Sequence, residues 1–169
     1  MYTVEMRPDS LATSVPTGPS FDLLLVAHVA SAFIGFGVVA ITGIQAFRAR
    51  VGFAALTPGL RRYFRPGTNW LGRVVFLVPV LGAALVLDSG GTFGFGDTFV
   101  VAGIVLWAAS AVLAEIVLWP GERHIQALVS GEPLADPGEL ERSCRRASLA
   151  AAAITAMFVA AVVLMVTRP

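Results

Sequence analysis

Residues 21–47 read FDLLLVAHVASAFIGFGVVAITGIQAF, and this stretch decides the fold. Its only ionisable side chains are those of Asp22 and His28. A helix rises 1.5 Å per residue, so about 20 apolar residues cross a hydrocarbon core roughly 30 Å thick. The stretch exceeds that length and is also too long for the apolar core of a signal peptide. It therefore predicts a transmembrane helix.

Three further apolar blocks follow the first. Hydrophobic residues make up 56% of the 169 positions and charged residues 14%. The apolar residues form long blocks and not the periodic stripes of a soluble amphipathic helix. The sequence predicts an all-α fold, a four-transmembrane-helix bundle of two hairpins. We expect a mobile extracytoplasmic tail over residues 1–20 and one membrane domain over 21–169, with spans at about 21–47, 70–87, 98–119 and 147–166.

Helix-capping and helix-breaking residues set the expected boundaries. Asn69 or Thr68 can cap the second span, and the glycine-rich DSGGTFGFGD of residues 88–97 predicts a tight turn before the third. Asp97 is the expected N-cap of the third helix, which should end at Trp119, Pro120 and Gly121. The sequence from Asp136 to Glu139 predicts the start of a last helix that begins outside the bilayer.

The arginines predict the orientation. All 12 basic side chains apart from histidine are arginine, and most of them fall in the two long loops around residues 48–69 and 120–146. The positive-inside rule places both loops in the cytoplasm and both termini outside. Composition indicates a bacterial inner membrane, with the lipid bilayer as partner and no nucleic acid. Each long loop should contain a polar interfacial segment, and the basic side chains expected to face headgroups in the first are Arg48, Arg50, Arg61, Arg62 and Arg65.

His28 is a candidate functional residue because an ionisable side chain inside a membrane span is uncommon. A neutral imidazole can bind haem iron or a metal, or relay a proton. The alternative is a structural hydrogen bond to a neighbouring helix. His124, the other histidine, should lie at the opposite face of the membrane, so one chain has no two-histidine haem site. Met157 and Met165 lie toward the outer half of the last span, where packing is the usual role of methionine.

Gln45, Arg73 and Glu115 are predicted to lie at a similar depth on three helices. An Arg73–Glu115 ion pair would lock two helices together or belong to a proton or anion path. The alternative is that each charged side chain extends separately to the interface. On the last helix, Glu141 and Arg145 stand at i and i+4, where opposite charges attract.

Small residues predict close helix contacts. Ala27, Ser31 and Gly35 repeat every four residues on the first span, and the last carries a similar row at positions 152, 156 and 160. Such faces favour packing or dimerisation. No phosphate-binding loop, zinc-helix motif or Ser/His/Asp arrangement occurs, so we expect no catalytic residue and no metal site.

The stretches LLLVAHVASAFIGFGVVAITG and LWPGERHIQAL, with the Arg-rich loop between the first two spans, resemble the integral membrane proteins of domain-of-unknown-function family 2269. That resemblance implies a four-helix membrane fold. The first-helix histidine is also similar, more distantly, to that of CopD-like copper-resistance proteins and HemJ-like protoporphyrinogen oxidases, which would give His28 their histidine's role. The chain has no lysine to match the second-helix lysine of the latter, and the nearest basic residue is Arg73.

Three functional hypotheses follow. The first is a non-catalytic membrane protein that acts through helix contacts with itself, as a homo-oligomer, or with a membrane partner. The second is a haem- or metal-linked redox protein that uses His28, although no cofactor is expected under the first hypothesis. The third is a small transporter or proton path that uses Arg73 and Glu115.

Overall fold

The computed structural model describes residues 18–51, 57–130 and 137–167, and the described chain is all-helical, as predicted. Residues 1–17 of the tail expected over residues 1–20, the Asp136 cap and Arg168 lie outside the described residues. The elements are α1 (Pro19–Val51), α2 (Pro58–Tyr63), a 3-10 segment (Trp70–Phe76) that continues into α3 (Leu77–Asp88), α4 (Thr98–Leu113), a π-helical turn (Ala114–Leu118), α5 (Trp119–Ser130) and α6 (Pro137–Thr167).

Four helical segments are long and apolar enough to cross a membrane. They are Pro19–Arg50, Trp70–Asp88, Thr98–Ser130 and Gly138–Thr167, with mean hydropathies from 2.1 to 2.6. Only 17% to 28% of the residues in their apolar windows are buried within the protein. A soluble protein does not leave contiguous apolar surface of this extent exposed. The exposed helix faces therefore suit a multi-pass membrane protein.

The third segment does not end at Trp119–Gly121, contrary to the expectation from sequence. The helix continues through Pro120 to Ser130. The π-helical turn ends two residues before the proline, and the Trp119 N–H donates to the Ala114 carbonyl five residues earlier. A proline inside a regular helix clashes with the carbonyl four residues before it and removes one hydrogen bond. The wider π-helical turn shifts the backbone hydrogen bonds by one residue and so accommodates the proline. The helix therefore continues beyond Pro120.

The second span also contains a proline, and a side chain of another helix donates to the carbonyl that the proline cannot reach. Pro79 has no N–H to donate to the Val75 carbonyl four residues earlier. The Trp107 indole Nε1 donates to that carbonyl at 3.0 Å. Proline is tolerated in membrane helices where neighbouring groups satisfy the backbone in this way. The bond ties α4 to the 3-10 segment.

Two predicted caps have different outcomes. The Asn69 side chain accepts a hydrogen bond from the Gly72 N–H at 3.4 Å, so it caps the second span as expected. Asp97 precedes α4 as expected, but its side chain makes no cap bond to the helix. It accepts instead from the Gly94 N–H at 2.9 Å and stabilises the glycine-rich turn.

Helix α1 packs on α6, on α3 and on the 3-10 segment, and α6 also packs on α4 and α5. The direction of α6 follows from its contacts with α1. Phe36 stacks on Phe158 with ring centroids 4.5 Å apart, whereas Arg50 near the end of α1 meets Glu141 near the start of α6. The two helices therefore run antiparallel. One end of the bundle holds His28, and the other holds most of the arginines.

Candidate functional site

His28 lies on α1 with its ring against α3. Its Nδ1 lies 3.0 Å from the Val78 carbonyl oxygen, which can only accept, so Nδ1 carries the hydrogen. The neutral imidazole then presents the lone pair of Nε2. Gly82 gives the ring its space, since a Cβ there would lie 3.2 Å from the His28 Cε1. Both the tautomer and the ring position are thus fixed by α3.

The His28 ring lines a cavity of about 290 Å³ between α1, α3, α4 and α6, which we call the His28 cavity. Its rim includes exposed side chains, so the cavity opens to the apolar outer surface of the bundle. The Ser110 hydroxyl is bonded to the Leu106 carbonyl and the Trp107 indole to Val75, so His28 Nε2 is the uncommitted polar atom of the lining. The lining residues are His28, Val29, Ala32, Phe33, Phe36, Val78, Leu106, Trp107, Ser110, Met157, Phe158, Ala161, Val162, Met165 and Val166.

The two methionines noted in the sequence lie in this cavity with His28, but His124 does not. His124 Nε2 lies 3.0 Å from a Glu139 carboxylate oxygen, at the arginine-rich end of the bundle. In the described ranges, no three His, Cys, Asp or Glu side chains come together in a group able to hold a metal ion. The cavity thus offers one imidazole nitrogen and two thioethers among apolar walls.

The structure does not bring Gln45, Arg73 and Glu115 together. Glu115 lies on the π-helical turn with an exposed side chain, and Gln45 is half-buried on α1. The Arg73 guanidinium lies over the Trp119 ring, 4.7 Å from its centroid, and 5.9 Å from that of Trp70. No hydrogen bond or ion pair between described residues joins any two of the three polar side chains. Arg73 thus meets the negative face of an indole.

A buried polar cluster at the arginine-rich end was not predicted. Glu122 and Gln126 on α5 are 6% and 7% exposed. The Glu122 carboxylate accepts a hydrogen bond from the Asn69 side chain, and Gln126 Nε2 donates to the Gly67 carbonyl at 3.3 Å. The sequence carries a signal for it, since Trp119, Glu122, Gln126 and Val129 lie on one helix face. Treating residues after Pro120 as a loop concealed that face.

Tyr63 joins this cluster to α1. Its hydroxyl lies 2.6 Å from that of Thr42. Burial raises the pKa of the Tyr63 phenol, the Thr42 hydrogen bond opposes the rise, and the nearby Glu122 carboxylate adds to it. The phenol therefore stays protonated at neutral pH. The adjoining cavity of about 30 Å³ is the size of one water molecule, so it encloses no organic ligand. The hydrogen bonds of the cluster join Gly67 and Asn69, which precede the 3-10 segment, to α5.

The arginines of the first long loop differ in exposure. Arg50 is half-buried, and its Nε lies 3.5 Å from a Glu141 carboxylate oxygen. Glu141 therefore pairs with Arg50 on α1 and not with Arg145 on its own helix. The other four side chains predicted to face headgroups are exposed; they are Arg48, Arg61, Arg62 and Arg65.

Comparisons with protein-family models, curated proteins and solved structures find no match to this chain. The candidate site therefore rests on its own geometry.

Proposed function

We propose that this chain is a non-catalytic multi-pass membrane protein that binds a small apolar molecule from the bilayer in the His28 cavity. The observation that carries the proposal is the pairing of an apolar cavity, open to the outer surface, with one uncommitted polar atom, His28 Nε2. Ligand sites in proteins have this composition, with apolar walls and a few placed polar groups. A ligand hydroxyl or N–H would donate to the imidazole.

The cavity volume supports a small ligand. Pockets that bury drug-sized molecules run from about 300 to 1,000 Å³. The His28 cavity, at about 290 Å³, lies just below that range. Each of the four membrane-spanning segments contributes to its walls. The second does so through α3 and not through the 3-10 segment. A bound molecule would therefore stabilise the contacts among α1, α3, α4 and α6 together. Through these contacts the effect of binding would be transmitted to a membrane partner or to a second copy of the chain.

Filling the cavity should remove the bound molecule. Ala161 lines the cavity, whereas Ala160 on the next position of α6 is exposed and does not. We expect an apolar molecule to co-purify with the wild-type protein in mild detergent, and Ala161→Leu to lower its amount about tenfold while Ala160→Leu leaves it unchanged. Mass spectrometry of the extracted ligand, normalised to protein, measures this. Equal ligand content in the two variants would contradict the proposal.

A second candidate, haem- or metal-linked redox chemistry at His28, is favoured by Met157 and Met165, because thioether and imidazole are an established ligand pair for haem iron and for copper. A haem is larger than a drug-sized ligand, so the cavity volume favours the first candidate.

We expect purified protein to be colourless. A Soret band that disappears in His28→Ala would reverse this order. Loss of the His28 bond alone should cost only about 0.6–2 kcal/mol of stability.

The transporter alternative relied on Arg73 and Glu115. Arg73 is engaged with Trp119, and Glu115 is exposed on the outside of the bundle. The two charges therefore do not line a shared path, and the geometry favours binding over transport.

We further propose a bacterial plasma membrane location with both long loops in the cytoplasm. The single cysteine, Cys144, is fully buried, so a labelling reagent does not reach it in the folded protein. Because Cys144 is buried, the wild-type chain should not react with a maleimide.

Gly59 in α2 and Gly96 in the turn before α4 both face open space. In intact cells, an impermeant maleimide should label Gly96→Cys but not Gly59→Cys, and both should react after lysis. The reverse pattern would invert the orientation.

A further inference from the structure

A long groove runs between α1 and α6 on the outside of the bundle, separate from the His28 cavity. It has a volume of about 950 Å³. Small side chains on both helices form its floor, which includes the exposed Ala152 and Ala156 from the row identified in the sequence. Its lining also includes Gly43 on α1 and Ala151 and Val159 on α6. We call this the α1–α6 groove.

One end of the groove is positively charged and the rest is apolar. Arg50 and Arg145 line that end. The Arg50 guanidinium is held by Glu141, whereas the exposed Arg145 side chain forms no ion pair with any residue the structure describes. Arginine presents several N–H donors in a planar fork that suits phosphate oxygens. The charged end therefore has an uncommitted donor set suited to a phosphate group.

The length of the groove matches one leaflet of a bilayer. A rise of 1.5 Å per residue along α6 gives about 21 Å from Arg145 to Val159. Half of a bilayer, counted from its midplane through the headgroups, is about 20–22 Å thick. A phospholipid whose phosphate met Arg145 would therefore lay its acyl chain along the groove and reach the bilayer midplane near Val159.

We propose that the α1–α6 groove binds one anionic phospholipid, with the phosphate at Arg145 and Arg50 and an acyl chain on the small-residue floor. Charge distinguishes this occupant from a second copy of the chain. A dimer with its two-fold axis along the membrane normal and this groove at its interface would bring Arg50 and Arg145 of both copies to the same level. Like charges placed opposite one another disfavour that contact. An anionic headgroup neutralises them.

The headgroup arm of the test compares two neighbouring arginines. Arg145 lines the groove, and the exposed Arg146 does not. Detergent-purified protein is mixed with phosphatidylglycerol or phosphatidylcholine, and the bound lipid is counted by native mass spectrometry. An arginine near a membrane surface changes anionic lipid affinity about fivefold. We expect Arg145→Gln to weaken phosphatidylglycerol binding by that factor and Arg146→Gln to leave it unchanged. Equal binding of both lipids to the wild type would overturn the proposal.

The chain arm separates a lipid from a free phosphate ion. Ala156 and Ala153 are both exposed on α6, but only Ala156 lines the groove. We expect Ala156→Leu to weaken phosphatidylglycerol binding severalfold and Ala153→Leu to leave it intact. If Ala156→Leu has no effect while Arg145→Gln does, the site recognises phosphate alone and the acyl-chain proposal fails. If Ala156→Leu changes the oligomeric mass and not lipid binding, the groove is an interface between copies.

Discussion

Gly35→Ala should destabilise the protein by about 1–3 kcal/mol or more, although alanine is the better helix former. A Cβ at Gly35 would lie 2.7 Å from the Val75 backbone nitrogen and 2.9 Å from its Cα. Those atoms belong to the 3-10 segment, whose Val75 carbonyl is also held by Trp107. Backbone cannot rotate away as a flexible side chain can. The added methyl group must therefore separate α1 from the second span.

Gly37 supplies the matched control on the same helix. A Cβ there meets nothing within 4 Å. Gly37→Ala should be neutral or stabilising, because alanine gains up to about 1 kcal/mol over glycine in a helix interior. Denaturant unfolding in mixed micelles, followed by circular dichroism, gives the free energy of unfolding for each variant. If the two substitutions changed stability equally, the close approach of Gly35 to Val75 would not be a determinant of the fold.

Sequence patterns were sufficient for the four apolar helical segments and for some of the contacts between them. The long apolar block around His28 predicted a membrane-spanning helix, because length and hydropathy are local properties of the chain. The four-residue spacing of Ala27, Ser31 and Gly35 also predicted a close approach, and Gly35 makes one. The pattern could not identify the partner, since a small face fits any neighbour. The partner of Gly35 is the 3-10 segment, whereas Ala152 and Ala156 of the second small row, on α6, line an open groove.

Features that depend on distant residues were not predictable in the same way. Pro120 followed by Gly121 favours a helix end. The helix nevertheless continues, because the π-type hydrogen bond from the Trp119 N–H to the Ala114 carbonyl accommodates the proline. The sequence did not identify the partner of Arg73, because that contact depends on where the Trp119 ring packs. Likewise, the apolar walls around His28 come from four separate segments, so the cavity could not be read from the motif that contains the histidine.

The contact between α1 and α6 at Gly43 should show compensation when one methyl group is moved across it. A Cβ at Gly43 would lie 2.5 Å from the Cβ of Ala151. Gly43→Ala should therefore cost about 1–3 kcal/mol through overpacking, and Ala151→Gly about 1 kcal/mol through lost helix propensity. The double variant places the same single methyl group between the helices, from the opposite side. We expect it to be more stable than Gly43→Ala alone.

A double-mutant cycle on unfolding free energies measures this compensation. Contacting residues show interaction energies of about 0.5–3 kcal/mol, and distant ones add within about 0.5 kcal/mol. We expect at least about 1 kcal/mol of favourable coupling between Gly43→Ala and Ala151→Gly. The control cycle pairs Ala151→Gly with Gly37→Ala, whose added methyl group meets nothing, and should be additive. If both cycles were additive, α1 and α6 would not be in contact at this point, and the packing of the two longest helices would need a different register.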